Sequence, residues 1–216
     1  MNHQYSYSTM DNMKENRCQI KCLTEASKST CIKVGDLAPD FSLEGVFKDE
    51  KIIINLSELN GKWIVIFFYS SDFGIICSTE LSAITRKINE FSRLNTIIVG
   101  ISTDSIYTHK IFNQVTPTGR AINFPLLSDR SHKVSKEYDV LNEKEGFTYR
   151  ATLIIDTEGV IQAILTNPTN VGRNIDEIIR ILEALQYNKQ TGLAIPANWQ
   201  YKEPGIERDW NRIGRY

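Results

Sequence analysis

The sequence predicts an α/β domain built on a mixed β-sheet with helices on both faces. The segment KWIVIFFY (62–69) is apolar at nearly every position, as expected for a strand buried on both faces of a parallel sheet. A helical pattern and a second apolar run, NTIIVGIS (95–102), follow it, so the unit is strand, helix and parallel strand. The segment ATLIIDTEGVIQAILT (151–166) then has the pattern of a hairpin, which adds antiparallel strands.

The spacing of apolar residues predicts the other elements. Between the two parallel strands, apolar residues recur at steps of three and four from Leu81 to Leu94, which places them on one face of a helix that starts near Ser78 and Thr79. The remaining predicted elements, in chain order, are strand KIIINLSEL (51–59), helix SIYTHKIFNQV (105–115), strand FPLLSD (124–129), helix HKVSKEYDV (132–140) and helix NIDEIIRILEALQ (174–186).

We divide the chain into three parts. Residues 1–32 are polar and have no apolar period, which predicts a poorly ordered N-terminal arm. Residues 33–187 carry the patterns of the packed domain, and residues 188–216 form a C-terminal arm. This arm contains Pro, Gly and two Trp. It is too aromatic for a solvated linker, so we expect it to pack on the domain or on another subunit.

The composition argues against several classes of protein. The formal net charge is −1 and no basic stripe is present, so we expect no nucleic-acid partner. No stretch approaches the roughly 18 apolar residues of a membrane span, and the N-terminal segment lacks the apolar core of a signal peptide. We therefore expect no membrane partner. Cysteines in a chain without a secretory signal favour a reducing compartment, and we expect a cytoplasmic location.

Cys77 lies where the predicted strand at 62–69 ends and the helix begins. Unpaired N–H groups and the helix dipole stabilise negative charge there, and the thiolate is the reactive form of cysteine. Arg150 precedes the strand ATLIID. If this strand is antiparallel to the first, Arg150 reaches the same rim of the sheet and stabilises the thiolate. The alternatives are an inert packing cysteine and a surface arginine.

Seven segments have the order and spacing seen in peroxiredoxins: VGDLAPDFSL, FFYSSDFGIICSTEL, IYTH, INFPLLSD, FTYRATLIIDTEGVI, NVGRN and GLAIPANW. Together they span about residues 33–200. The chain resembles the alkyl hydroperoxide reductase and thiol-specific antioxidant branch, the typical two-cysteine group. This resemblance implies a thioredoxin-like fold and an oxidoreductase that reduces hydrogen peroxide or organic hydroperoxides. It implies a thioredoxin-like or other thiol reductant and a homodimer or ring of dimers, and we expect no cofactor and no metal.

The resemblance also implies roles for single residues. Cys77 matches the peroxidatic cysteine, Glu80 the acid that follows it in the helix, and Arg150 the catalytic arginine. In that chemistry the thiolate attacks one peroxide oxygen while donors stabilise the departing oxyanion. Cys77 then becomes a sulfenic acid, which must be reduced or trapped as a disulfide.

The chain departs from the family motif Pro-x-x-x-Thr/Ser-x-x-Cys-Pro at three positions, which carry Ser70, Gly74 and Ser78. In the family, the hydroxyl at position 74 bonds the peroxide and the sulfur, and glycine has no side-chain donor. Losing one preorganised donor costs about 10²–10³ in rate in other enzymes, so we expect reduced peroxidase efficiency. Ser70, Ser71 and Ser78 are the candidates for a replacement hydroxyl.

A second departure concerns the resolving cysteine, which typical members carry before a Pro-Ala pair in the C-terminal arm. The segment LAIPANW has Ile195 there, so the usual intersubunit disulfide cannot form. Either an external thiol completes the cycle, or an N-terminal cysteine has taken the role; the candidates are Cys18, Cys22 and Cys31. Zinc binding by these cysteines lacks a clear fourth ligand, and incidental thiols are the simplest alternative.

Two functions follow from this sequence. Cys77, Glu80 and Arg150 favour a thiol peroxidase, whereas the four altered positions favour an impaired peroxiredoxin scaffold that serves as a redox sensor, holdase or assembly partner. A thioredoxin-type disulfide reductase is excluded, because no cysteine lies three residues from Cys77. We expect His109 and His132, both on predicted helices, to be packing or surface residues rather than ligands.

Overall fold

The computed structural model describes residues 31–214. The strands are β1 (Ser42–Phe47), β2 (Glu50–Asn55), β3 (Trp63–Phe68), β4 (Thr96–Ser102), β5 (Leu126–Ser128), β6 (Leu141–Asn142), β7 (Phe147–Thr148), β8 (Arg150–Ile155) and β9 (Ile161–Asn167). The α-helices are α1 (Ile75–Arg93), α2 (Ile106–Val115), α3 (Pro117–Ala121), α4 (Lys133–Glu137) and α5 (Ile175–Thr191). Short 3-10 helices cover Leu56–Leu59 and Trp210–Arg212.

Within residues 31–214 the strands form a seven-stranded mixed sheet in the order β2-β1-β5-β4-β3-β8-β9, with β6 and β7 paired separately. The three strands β3, β4 and β5 are parallel to one another, and β8 runs antiparallel to β3. Strands β8 and β9 form the predicted hairpin, in which Gly159 adopts a φ of 80° that suits glycine. No helix in the described part of the chain is long and apolar enough to cross a membrane.

Strand β3 separates two hydrophobic cores. Val65 and Phe67 point into one core, and Ile64, Ile66 and Phe68 into the other, as the alternation along a strand requires. Helices α1, α2 and α5 cover the first core, and α4 contributes to the second. The predicted mixed sheet with helices on both faces is confirmed.

Several element boundaries differ from the prediction. Helix α1 begins at Ile75, three residues before Ser78; its N-cap is Gly74, in an extended conformation and without a side-chain hydrogen bond. Strand β1 was not predicted; its segment SLEGVF carries only short apolar runs, and it pairs with β2 and β5. Helix α4 is shorter than expected and α5 extends to Thr191, past the predicted start of the C-terminal arm at residue 188.

The chain after α5 turns back onto that helix. Gly192 ends α5 in the left-handed conformation at a φ of 72°. Ala194 then forms a β-bridge with Ile206. Between them, Trp199 is only 1% exposed and packs on Tyr187 with ring centroids 5.4 Å apart. Its indole N–H donates to the carbonyl of Glu203 at 2.8 Å. This part of the arm therefore packs on the domain.

We expect Trp199→Ala to lower the free energy of unfolding by about 3–5 kcal/mol, because a buried indole is replaced by a cavity. Trp210→Ala is the matched control: Trp210 is 83% exposed, and its loss should change stability by less than about 0.5 kcal/mol. Urea unfolding followed by circular dichroism measures both values. Similar stabilities of the two variants would contradict the packing of the arm on α5.

Candidate active site

Cys77 lies in the first turn of α1, directly after the loop that follows β3. Its side chain is fully buried. The sulfur lies 3.2 Å from the hydroxyl of Ser70 and 3.3 Å from Nη1 of Arg150, which donates to it. Backbone N–H groups at a helix start have no partners within the helix, and the helix dipole adds a partial positive charge there. The sulfur therefore lies among groups that stabilise a thiolate.

The mixed sheet brings Arg150 to this point. Because β8 is antiparallel to β3, with Phe67 opposite Thr152, the first residue of β8 lies beside the carboxyl end of β3. Arg150 is buried, and its Nε donates to the carbonyl of Thr169 at 2.8 Å. The guanidinium is thus held from one side while Nη1 faces Cys77.

Glu80 lies one helical turn after Cys77 and is also buried. Its carboxylate accepts a hydrogen bond from Nη1 of Arg150 at 2.8 Å, so one nitrogen of Arg150 contacts both Glu80 and the sulfur. Glu80 also accepts from three N–H groups of Arg173, at 2.8, 2.9 and 2.9 Å. The carboxylate therefore joins two guanidinium groups.

Arg173 is a site residue that the sequence analysis missed. Its Nη1 donates to the carbonyl of Ala151 and to the hydroxyl of Thr152, and its guanidinium lies 4.9 Å from the ring centre of Phe67. Arg173 belongs to the segment NVGRN, one of the seven segments that resemble peroxiredoxins, but the resemblance assigned no role to this residue. Its loop position, 93 residues from Glu80, gave no local signal of a pairing.

The electrostatics of the cluster follow from these contacts. Burial raises the pKa of Glu80, but the hydrogen bonds and charge of Arg173, together with the charge of Arg150, outweigh it and hold this pKa below its ordinary value. Burial lowers the pKa of Arg150, but the hydrogen bond and charge of Cys77 and the charge of Glu80 raise it overall. Both residues are therefore charged over the physiological range.

The loop between β3 and α1 is anchored by the buried side chain of Asp72. Its carboxylate accepts from the hydroxyl of Tyr69 at 2.8 Å and from Nδ1 of His109 at 2.7 Å. Its backbone N–H donates to Asp104 at 3.0 Å. Burial and the nearby charge of Asp72 raise the pKa of Tyr69 well above its ordinary value, so the phenol stays a donor. These contacts fix the loop onto β4 and α2.

This network refines the expectation for His109. It is a buried residue, as expected of packing, but it also makes a hydrogen-bond contact to Asp72 that the sequence analysis did not predict. Asp72 could have been suspected, because a carboxylate in the loop beside Cys77 needs a partner once it is buried. His132 is half-buried and caps the start of α4 in the left-handed conformation.

The altered motif positions all lie close to Cys77 in the loop and at the start of α1. Ser70 contacts the sulfur, whereas the side chains of Ser71 and Ser78 make no such contact among the described residues. A Cβ atom built on Gly74 would lie 3.0 Å from the sulfur and 3.2 Å from the hydroxyl of Ser71, tighter than ordinary packing. The backbone carbonyl of Gly74 accepts from the N–H of Ser78 at 2.9 Å, which closes the first turn of α1.

The other cysteine positions are only partly covered by the described residues. Cys18 and Cys22 lie outside them, and Cys31 is free and exposed. Ile195, at the position of the usual resolving cysteine, lines a groove of about 370 Å³ along α5. Over residues 31–214, no cluster of three His, Cys, Asp or Glu side chains is arranged to hold a metal ion.

A family model described as AhpC/TSA family matches residues 34–164. The chain belongs to this family of peroxiredoxins. It is 39% identical over 173 residues to a thioredoxin peroxidase of Fasciola hepatica, covering 78% of this chain and 89% of that protein. Peroxiredoxin 2 of Thermoplasma acidophilum is 38% identical over 176 residues, covering 81% of this chain and 86% of that protein.

A solved structure agrees with this assignment. The crystal structure of reduced Plasmodium vivax 2-Cys peroxiredoxin has a TM-score of 0.78 to this chain at 35% identity. The match covers 82% of this chain and 94% of that one. The thioredoxin-like fold that the sequence resemblance implied is thereby confirmed.

We expect Glu80→Gln to lower the free energy of unfolding by about 3–5 kcal/mol near pH 7, because two buried guanidinium groups lose their carboxylate. The folded protein lowers the pKa of Glu80 from 4.5. The stability that this charge contributes is therefore present above that value and is lost as the pH falls through the lower, folded value. Urea unfolding at about pH 7 and about pH 3 should show wild type and variant converging in acid.

Glu177→Gln is the matched control for this measurement. Glu177 pairs with Arg180 at 2.6 Å on the partly exposed surface of α5, and an exposed ion pair contributes about 0–1 kcal/mol. A loss from Glu177→Gln as large as that from Glu80→Gln would contradict the importance of burial in the cluster.

Proposed function

We propose that this chain is a thiol peroxidase that reduces hydrogen peroxide or organic hydroperoxides, with Cys77 as the peroxidatic residue. The observation that carries the proposal is the hydrogen bond from Nη1 of Arg150 to the sulfur of Cys77, at 3.3 Å. The same nitrogen bonds Glu80, so the guanidinium is held in place before a peroxide arrives. The family membership and the relative named thioredoxin peroxidase support the same reaction.

The reaction starts with the thiolate of Cys77. It attacks the terminal oxygen of the peroxide, so that an S–O bond forms as the O–O bond breaks. Sulfur loses two electrons and becomes a sulfenic acid, and the peroxide is reduced. The departing alkoxide or hydroxide takes a proton from water. Arg150 stabilises the thiolate beforehand and the negative charge on oxygen as it develops.

Return to the thiol requires two electrons from another thiol. Ile195 provides no resolving sulfur in the C-terminal arm, so we propose an external reductant of the thioredoxin type, which the name of the Fasciola hepatica relative supports. Cys31, which is free and exposed, is the alternative resolving residue among the described residues. A chemistry that needs reduced thiols fits a reducing compartment, and we propose a cytoplasmic location on that basis.

The second candidate function is a redox sensor, holdase or assembly partner without efficient turnover. Two observations favour it: Cys77 is fully buried, and position 74 has no hydroxyl. In that case Cys77 is oxidised by peroxide, but the sulfenic acid is not returned rapidly to the thiol by a thioredoxin system.

Mixing the reduced protein with hydrogen peroxide and following Cys77 by mass spectrometry tests the proposal. We expect sulfenylation at least about 10²-fold faster than that of a free cysteine, because Arg150 and the helix start stabilise the reacting charge. Cys77→Ser should abolish consumption of peroxide in a thioredoxin-coupled assay.

The outcomes separate the two functions. Rapid sulfenylation with sustained turnover supports the peroxidase, and rapid sulfenylation without turnover supports the sensor. Oxidation of Cys77 at the rate of a free cysteine would falsify the proposed peroxidase.

We also propose assembly into a homodimer or a ring of dimers; a dimer needs one contact surface, and a ring of dimers needs a second, different one. In the described sheet, β9 is the last strand and pairs with β8; its first residue, Ile161, also bonds to the backbone of Gly35 and Asp36, and the rest of its outer edge has no strand partner among the described residues.

Beside the active site, Phe73 packs on Phe112 of α2, with ring centroids 5.3 Å apart. The start of α1 and α2 also carry exposed apolar side chains, of which Ile75 is 87% and Tyr107 76% exposed. An apolar patch of this kind is typical of a protein interface.

Tyr107→Glu should lower the assembly state, because it places a charge in the apolar patch. Sedimentation velocity of the wild type and the variant measures the change. Ile53→Glu, at another exposed apolar position, on β2, is the control and should leave the sedimentation coefficient unchanged. An identical, fully assembled profile for Tyr107→Glu would exclude this patch as an interface.

A further inference from the structure

Ser70 is the residue whose hydroxyl lies next to the reacting sulfur. The two atoms, Oγ of Ser70 and Sγ of Cys77, are 3.2 Å apart, although the residues are seven positions apart in the chain. Arg150 contacts the same sulfur at 3.3 Å. A hydroxyl can donate to a thiolate, so two donors from different elements converge on one atom.

The backbone on both sides of Ser70 is fixed. On one side, the N–H of Tyr69 donates to the carbonyl of Ile101 at 3.0 Å, and the carbonyl of Tyr69 accepts from the hydroxyl of Thr148 at 2.8 Å. On the other side, Asp72 is held by the phenol of Tyr69 and by His109. The hydroxyl of Ser70 is therefore preorganised, which is the condition under which a donor contributes most to a reaction.

A side chain at position 74 would affect the contact between Ser70 and Cys77. The Cβ of any side chain at Gly74 would lie 3.0 Å from Sγ of Cys77 and 3.2 Å from Oγ of Ser71. Threonine adds two further heavy atoms beyond that Cβ. In this loop conformation a threonine fits only if the sulfur or the loop moves, and such a movement alters the distance between Ser70 and Cys77.

We propose that Ser70 supplies the hydroxyl that acts on Cys77, in place of the hydroxyl that Gly74 lacks. This inference rests on the proposed peroxidase function. Ser70 donates a hydrogen bond to the thiolate and, with Arg150, holds the Cys77 side chain in the orientation from which it attacks. When the S–O bond forms and the O–O bond breaks, sulfur is oxidised by two electrons and the peroxide is reduced. The leaving oxygen takes its proton from water, so Ser70 neither gains nor loses a proton overall.

The direct test is Ser70→Ala, with Ser71→Ala as the matched control in the same loop. We expect Ser70→Ala to slow sulfenylation of Cys77 near neutral pH about 10- to 100-fold, the effect of losing a hydrogen bond to a charged group. Its pH–rate profile should shift to higher pH, because the thiolate forms less readily. Ser70→Thr retains the hydroxyl and should keep most of the rate, and Ser71→Ala should react like the wild type.

A double-mutant cycle with Gly74→Thr tests the relocation itself. In the wild-type background, Gly74→Thr should raise the rate by less than about 3-fold, since the hydroxyl is already supplied. In the Ser70→Ala background, the same change should recover much of the lost rate. Equal effects in the two backgrounds would contradict the proposal, as would a Ser70→Ala variant that reacts at the wild-type rate.

Titration of the Cys77 thiolate by ultraviolet absorbance, against Cys77→Ser as the blank, separates this inference from the function on which it rests. If the wild type reacts no faster than a free cysteine, the peroxidase function fails, but the titration still tests the hydrogen bond. A thiolate that forms at the same pH in wild type and Ser70→Ala overturns the assignment of Ser70. A shift to higher pH in Ser70→Ala, absent from Ser71→Ala, supports it.

Discussion

The buried charge around Glu80 is the constraint on which the site depends. Two guanidinium groups, of Arg150 and Arg173, share one carboxylate in a region nearly closed to solvent, where an unpaired charge is costly. Glu80 neutralises one of the two positive charges, and the remaining one lies against Cys77. The cluster is neutral when Cys77 is a thiolate and carries an excess positive charge when Cys77 is a thiol. The arrangement therefore favours the reactive form of the cysteine.

The mixed topology of the sheet is what allows this cluster to form. Cys77 and Glu80 come from α1, which starts at the carboxyl end of β3. Arg150 opens β8, and a strand that begins at that rim must run antiparallel to β3. In a purely parallel sheet, the first residue of the strand beside β3 would lie at the opposite rim. The same antiparallel hairpin returns the chain through β9 to the loop that carries Arg173.

The sequence predicts what depends on local periodicity and misses what depends on distant contacts. The uniform apolar run of β3 and the stripe along α1 are properties of neighbouring residues, and both were predicted. Strand β1 was missed because Gly45 interrupts its pattern; a Cβ there would lie 2.5 Å from the carbonyl oxygen of Leu126, so glycine allows the close approach to β5. The predicted antiparallel strand already indicated Arg150 as a candidate and the family resemblance added Glu80, but the contacts of Arg173 required the folded chain.

In the loop after β3, the altered positions 70 and 74 are four residues apart in the chain but border the same sulfur atom. Taken one at a time, a glycine at position 74 removes a hydroxyl, and a serine at position 70 only loosens the backbone by replacing a proline. In the folded chain both positions border Sγ of Cys77. The backbone rigidity lost with the proline is restored by Asp72, which ties the loop to His109 and Tyr69. In the proposed mechanism the two substitutions act as one change, which moves a hydroxyl from the start of α1 to the loop just after β3.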